Sequence, residues 1–541
     1  MRNLRRRDRF RYILIGEGVL IGLVTGVLIS VFRLMLVGAE TLRNRLVAAD
    51  APLLCALVLL CIAVLVTALL EVEPEIAGSG IPQVEAELQG QKDMCWWKVL
   101  LCKVIGCTAA IGGGLALGRE GPSIQLGAMV GKGFARAGKR LLTEERLLIT
   151  CGAGAGLSAA FGAPLAGAIF SLEELHRNFS AEVLLSTMAA SVASDFVAAN
   201  IVGLTPVFGF DVEHGLPLKY YWTLLVLGVV LGLFGILYNR TIARMQDAFD
   251  RIGKAFASAV GRIAHRRVRS AVTASRTTAF GRRAGTFGKL FVVLAAAGIL
   301  FFVYPEALGS GSFLVAEISS GQYALRALCV LLVIKFIFST ASFGSGSPGG
   351  IFLPLLVLGA VTGGLLSRLF TVLFGVGQEY ITAFVVVAMA GYFAAIVRAP
   401  VTGVVLITEM TGNFTNLLPL VMTSLIAYLV AEVSGTEPIY TQLLHRSRGS
   451  FAARRSLYLA DRKTVIGADV HIGSYMDGKR VMDFGLPVGT LIVSVLRDGV
   501  EIIPDGHTIL RGGDELEILL RERDILDVES LLEKRCRTVE I

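Results

Sequence analysis

The sequence predicts an all-α polytopic membrane protein made of two related halves with broken half-helices, followed by a small cytoplasmic α+β domain. Three observations carry the prediction. Of the 541 residues, 54% are hydrophobic and only 17% charged, whereas soluble domains carry about 25% charged residues; most of the chain therefore needs lipid around it. A set of short Gly/Pro motifs recurs at a nearly constant distance. Beyond Arg455 the texture turns polar, with strand-like alternation.

Charge sets the expected orientation. The formal net charge is +8, but the basic residues sit where membrane topology, rather than nucleic acid, needs them. Six arginines fall within Arg2–Arg11, nine Lys/Arg and no acid occupy Arg251–Gly285, and Arg446, Arg448, Arg454 and Arg455 follow the last apolar stretch. Basic flanks and short loops mark the cytoplasmic side. This puts the N-terminus, the middle loop and the C-terminus on the inner face of a cell (inner) membrane, with lipid as the surrounding partner and no nucleic acid. The apolar run Tyr12–Val31 is long and ends without a clear small-residue cleavage site, so it reads as a first membrane helix and not a removable signal. The eight cysteines lie mostly in apolar segments and form no C-x-x-C pair, which weakens metal and disulfide readings; no cofactor is expected.

Long apolar spans run near 12–36, 52–71, 180–203, 220–239, 288–303, 322–340 and 415–434. Shorter ones, interrupted by Gly and Pro, run 99–117, 122–135, 147–161, 163–174, 349–370, 379–397 and 399–410. A full crossing takes about 20 apolar residues. Several of the short runs therefore read as half-helices, tolerated where the backbone lines a cavity or is buried in protein. The repeat is countable. Gly118, Pro122, Leu126, Gly127, Ala128 and Gly131 match Gly350, Pro354, Leu358, Gly359, Ala360 and Gly363, 232 residues on. Ala163-Pro164, Gly167 and Glu173 match Ala399-Pro400, Gly403 and Glu409 at 236, and Gly78-Ser79-Gly80 matches Gly309-Ser310-Gly311 at 231. Three motifs at near-constant offsets mark an internal duplication, with repeats at about 77–200 and 307–435 inside a membrane domain of residues 1–445.

A basic linker, 446–456, leads to the polar domain, 457–541. There Thr490–Arg497, Val500–Ile503 and Glu515–Leu520 read as strands, separated by turns at Arg497-Asp498-Gly499, Asp505-Gly506 and Gly512-Gly513, and Asp524–Lys534 closes with a helical pattern.

The chemistry centres on Gly118-Arg119-Glu120-Gly121-Pro122. An ionisable group at membrane depth is expensive and points to function. Pro122 suits the first turn of a helix that the apolar run from Ile124 continues. Such a helix start offers free N–H groups and a partial positive charge, an anion site without a fixed cation. Gly349-Gly350 with Pro354 builds a second start, and Ala163-Pro164 and Ala399-Pro400 open two more helices. Partial charges attract a conducted anion moderately, whereas a buried Lys or Arg would hold it too tightly to release. A carboxylate at Glu120 would sit in the same field and block the path until protonated. The other reading of Glu120 is a helix cap or a partner for Arg119.

Glu173-Glu174 follows the apolar helix from Pro164; as plain structure it is an acid pair at a cytoplasmic helix end. The repeat separates the two. Glu173 matches Glu409, which suits shared architecture such as capping neighbouring backbone, while Glu174 falls opposite Met410 and Glu120 opposite Phe352. Both unmatched acids belong to one half, as expected of residues added for function.

Gly78-Ser79-Gly80-Ile81-Pro82, Gly118–Pro122, Gly350–Pro354 and the late Tyr440, in this order over roughly residues 10–445, resemble the CLC family of chloride channels and proton-coupled chloride antiporters. The resemblance implies two inverted helical repeats and usually a homodimer with one anion path per subunit. It assigns the chloride ligands to the hydroxyls of Ser79 and Tyr440 and the backbone N–H groups of Ile351 and Phe352, and it makes Glu120 the external gate. Gly78, Gly80, Pro82, Gly118, Arg119, Gly121, Pro122, Gly350 and Pro354 form the supporting motif. Read without the family, Ser79 is a turn or cap residue and Tyr440 an interfacial anchor. The resemblance also makes Glu174 the inner glutamate that passes protons toward the gate, an acid that channel-type members commonly lack. Having both acids favours a chloride/proton antiporter over the alternative, a passive voltage- or pH-gated chloride channel. Ser79 favours chloride, because the branches that move nitrate or fluoride depart from serine there.

The tail, through Leu486-Pro487-Val488-Gly489 and Gly513-Asp514-Glu515-Leu516, resembles the TrkA-C domain, a regulatory module of cation transporters and channels. Many CLC proteins carry CBS domains instead. The resemblance implies a regulatory or dimer-stabilising role with an unidentified ligand. A cation transporter is disfavoured because no Thr-Val-Gly-Tyr-Gly filter occurs. An enzyme is disfavoured because His-Glu-x-x-His, Gly-x-Ser-x-Gly and a P-loop are all missing. Glu17 and Asp195 carry no assigned role beyond interfacial contact or helix packing.

Overall fold

Apolar runs become helices here because backbone polar groups in lipid have to be satisfied within their own segment. The computed structural model describes residues 2–49, 51–176, 181–203, 207–208, 215–265, 274–446, 463–497, 500–521 and 524–537. Its contacts divide the chain into two units, Met1–Leu444 and His445–Ile541.

The first unit is helical: α1 Arg2–Ala48, α2 Pro52–Val72, α3 Ile81–Leu88, α4 Trp96–Gly112, α5 Glu120–Ala137, α6 Leu142–Phe161, α7 Pro164–Phe170, α8 Ala181–Val202, α9 Trp222–His265, α10 Ala274–Val303, α11 Ser312–Ser319, α12 Leu325–Gly344, α13 Phe352–Phe374, α14 Ile381–Val397, α15 Pro400–Thr411 and α16 Leu417–Val433. Eight helices among the described residues are long and apolar enough to cross a membrane. The order α3–α8 repeats as α11–α16, so the duplication read from three motifs extends to every element between them.

Two of the runs read as short are not short. α13 has 23 residues, and α14 with its preceding turn spans 20. Pro354 lies in the first turn of α13 and does not break it. The glycines that look like interruptions are contact points. A Cβ on Gly363 would stand 2.6 Å from the Phe384 carbonyl of α14, and one on Gly359 2.9 Å from that of Ala388. Their repeat partners Gly131 and Gly127 face the Leu148 and Gly152 carbonyls of α6 in the same way. The matched glycines thus let two equivalent helix pairs, α5–α6 and α13–α14, approach backbone to backbone. Glu17 pairs with Arg140, tying α1 to the turn between α5 and α6.

The second unit holds an antiparallel sheet of β1 Lys463–Asp469, β2 Leu491–Arg497, β3 Val500–Ile502 and β4 Glu515–Arg521 in the order β1-β4-β2-β3, with a helix at Ile525–Leu532. Strand β1 is an addition to the sequence reading. Only Ala468 of its seven residues is buried, so its alternation is weak and pairing with β4 defines it. Arg497 grips Asp514 bidentately, Nε to Oδ1 and Nη2 to Oδ2 both at 2.7 Å, and the Arg511 amide donates to the same carboxylate. Asp477 accepts from the Gly473 and Gly512 amides. Most of the basic linker, Asp498-Gly499 and part of the middle basic loop lie outside the described residues.

Candidate anion and proton site

Gly78 and Gly80 both have positive φ, 60° and 96°, a backbone that glycine adopts without strain. They bracket Ser79 and start α3. Gly309 and Gly311 repeat the conformation at 60° and 77° before α11. Each loop is gripped by a buried lysine. Lys103 of α4 donates to the Ile76 and Gly78 carbonyls at 2.9 and 2.8 Å, and Lys335 of α12 donates to those of Ala307 and Gly309, both at 2.9 Å. The lysines stand 232 residues apart, the offset of the main repeat. This symmetric pair went unread, although a lysine inside each of two apolar runs was its signal.

The loops of the two halves then meet. The Gly349 amide donates to the Gly78 carbonyl at 3.0 Å, and Gly118 and Gly350 exchange hydrogen bonds as an antiparallel bridge. This brings the start of α5, carrying Glu120, against the start of α13, carrying Ile351 and Phe352. The first N–H groups of a helix have no acceptor within it, so both starts present donors and the positive end of a dipole to one place. Ser79 joins them: a Cβ built on Gly121 would collide with the Ser79 hydroxyl. Phe352 is fixed by rings on three sides, with centroids 5.4 Å from Phe161, 6.5 Å from Phe170 and 4.6 Å from Phe393.

Glu120 is fully buried in the first turn of α5. Its carboxylate faces the Leu353 and Arg119 amides without a hydrogen bond of ordinary geometry, and Arg119 Nε lies 4.0 Å from Oε1. It therefore forms no tight pair with Arg119. The Ser79 and Tyr440 hydroxyls are likewise buried, with no hydrogen-bond partner among the described residues. Buried polar atoms normally find partners; the Glu120 carboxylate and the Ser79 hydroxyl stand at helix starts, a setting that suits an anion. Tyr440, in the helical segment 439–446, is wholly inside the protein and not at an interface. Its hydroxyl interacts electrostatically with both Glu174 and Glu120.

Glu173 and Glu174 part company through a π-helical turn, Ser171–His176. Glu173 accepts from the Thr402 amide at 2.7 Å and its hydroxyl at 2.6 Å, at the start of α15. Glu409 of α15 returns the contact, accepting from Leu165 and Ala166 at the start of α7. The capping role expected for the matched acid is thus present, and it is reciprocal. Glu174 is buried instead. Reciprocal contacts of this kind require a pseudo-twofold relation between the halves.

The carboxylates of Glu87, Asp93 and Glu145 lie close enough together to suggest a metal. Lys132 bonds Glu87 and Asp93, and Arg136 bonds Asp93 and Glu145. Protein cations already occupy that cluster, and the residues do not fit a metal ion.

Comparison with known proteins agrees with this arrangement. Residues 63–432 match the family described as voltage gated chloride channel, and residues 465–533 match the TrkA-C domain. The H(+)/Cl(-) exchange transporter ClcA of Vibrio vulnificus is 36% identical over 381 residues, covering 69% of this chain and 75% of that protein. ClcA of Vibrio cholerae is 37% identical with the same coverage. The crystal structure of a slow cyanobacterial Cl−/H+ antiporter superposes with a TM-score of 0.71 at 29% identity, covering 82% of this chain and 99% of that one. A eukaryotic CLC transporter shares the fold, with a TM-score of 0.63 at 23% identity over 80% of this chain and 74% of that one. The chain belongs to the voltage-gated chloride channel (CLC) family and ends in a TrkA-C domain.

Proposed function

We propose that the protein exchanges chloride for protons across the membrane. Chloride rests among the Ser79 and Tyr440 hydroxyls and the Ile351 and Phe352 amides. Glu120 alternates between occupying that anion path as a carboxylate and leaving it when protonated, and Glu174 passes protons between the cytoplasm and Glu120. The observation that carries this reading is a buried, unbonded carboxylate held where two helix starts meet. Partial charges there favour either a halide or the carboxylate, so the two compete and a proton decides between them. The ClcA relatives and the cyanobacterial antiporter support exchange over a passive channel.

The protein acts as a multi-pass homodimer in lipid of the cell inner membrane, with both termini cytoplasmic as the basic flanks suggest. Its TrkA-C domain, within residues 457–541, answers an unidentified regulatory ligand. Purified protein in lipid vesicles, with chloride and pH recorded together, tests the reading. Wild type moves the two ions in a fixed ratio, whereas Glu174→Gln keeps chloride flux and loses proton movement. Chloride flux without protons in the wild type would make it a channel, and unchanged coupling in Glu174→Gln would remove that residue from the pathway.

A further inference from the structure

The C-terminal end of α6 gathers three charged residues that the exchange scheme leaves unused. Arg33, on α1, donates through Nη1 to the Ala159 carbonyl at 2.9 Å, and Arg119 donates through Nη2 to the Ala160 carbonyl at 3.4 Å. These are among the last carbonyls of α6, which lack helical donors and carry the negative end of its dipole. Two guanidiniums thus sit on consecutive carbonyls, and that of Arg119 stands next to Glu120. The Nε atoms of both are buried and without an acceptor among the described residues. Asp195, on α8, reaches the same helix end: its Oδ1 lies 3.7 Å from where a Cβ would stand on Gly162, the residue closing α6.

The charges near Glu120 can be named element by element. α1 brings Arg33, which interacts with Arg119, Asp195 and Glu120. The residue before α5 is Arg119, α8 brings Asp195, and Asp195 in turn interacts with Glu409 of α15. The segment 439–446 brings Tyr440. At its start α13 brings the Leu353 amide, beside Glu120 Oε2.

We propose that Arg33 and Asp195 are positioning residues for the Glu120 gate: Arg33, beside Arg119, favours the ionised carboxylate in its seat, and Asp195 offsets part of that charge. The pair thereby sets the pH at which the gate opens. This rests on the reading of Glu120 as the gate.

Removing a positive neighbour makes a carboxylate easier to protonate, and removing a negative one makes it harder. In vesicles with pH varied equally on both sides, Arg33→Gln moves half-maximal chloride flux to higher pH, by about half a unit or more. Asp195→Asn moves it to lower pH, and Arg33→Lys restores the wild-type midpoint. A role confined to closing α6 would lower the amount of active protein without moving the midpoint. Wild-type midpoints in both Arg33→Gln and Asp195→Asn overturn the proposal. If Arg33→Gln does not assemble, Asp195→Asn decides alone, its downward shift supporting and an unmoved midpoint refuting. Glu120→Gln separates the two layers. If that variant keeps the wild-type pH profile, the gate assignment itself is wrong and this inference goes with it. If it abolishes the profile, the Arg33 and Asp195 results stand on their own.

Discussion

Gly118 and Gly350 exchange both of their backbone hydrogen bonds, at 2.6 and 2.7 Å. The loops that precede α5 and α13, one from each half of the duplicated chain, are thus tied to one another. The bridge also puts Gly118 under the Glu120 carboxylate. A Cβ there would collide with Glu120 Oε2 and stand 3.1 Å from the Leu353 nitrogen, whereas one on Gly350 meets its nearest neighbours at 3.2–3.4 Å.

Because the carboxylate is the flexible member of the worst contact, Gly118→Ala chiefly displaces that side chain, while the start of α13 at Leu353 gives only slightly. The variant folds, and its chloride flux loses most of its rise on acidification, while Gly350→Ala largely keeps that rise. Chloride efflux from vesicles at about pH 4.5 and about pH 7.5, roughly a thousandfold apart in proton concentration, reads the difference. Equal behaviour of the two variants would move the gate's seat away from Gly118.

Adjacent acids separate by role. Glu173 and Glu409 each cap a helix of the opposite half, and losing such a cap costs about 1–2 kcal/mol. Glu173→Ala and Glu409→Ala therefore lower the thermal unfolding midpoint in detergent, and the protein that remains folded still couples protons to chloride. Glu174→Gln leaves the midpoint near wild type and loses coupling. A stability loss in Glu174→Gln as large as in its neighbour would contradict the division.

Much of this was legible in the chain. The offsets of 231, 232 and 236 residues mark the duplication, and the absence of Glu120 and Glu174 from the second copy marks the two acids. The parts missed were those in which a residue's meaning comes from a distant backbone. Lys103 and Lys335 are held by carbonyls that only the positive-φ glycine loops turn toward them. Arg33 and Asp195 meet at the end of α6 from helices far apart in sequence. Glycines in α13 read as breaks because composition does not reveal that α14 lies against them. In β1 the inward residues are Thr464, Ile466 and Ala468 while apolar Val465 faces out, so apolar alternation in the sequence could not announce the strand.

The C-terminal domain has its own acid limit. Backbone donors Gly473 and Gly512 hold the Asp477 carboxyl below its ordinary 3.8. Burial alone would push Asp514 up, but Arg497 and the Arg511 amide hold it down. Carboxyls depressed on folding contribute stability that is present above 3.8 and lost as pH falls through their lower folded values. Hydrogen exchange of β2 and β4 in the full chain should stay protected down to about pH 4 and open below it. Arg497→Ala, which leaves Asp514 buried and without its guanidinium, should cost about 2 kcal/mol and bring the opening to higher pH. Unchanged protection in that variant would show that the pair does not hold the domain.

The most direct test of the account is simultaneous recording of chloride and proton movement in vesicles holding Glu120→Gln. With the carboxylate replaced by its uncharged isostere, chloride should pass at a rate independent of pH and no protons should follow it. Protons still moving in proportion to chloride would show that the seat between α5 and α13 is not where the two ions are exchanged.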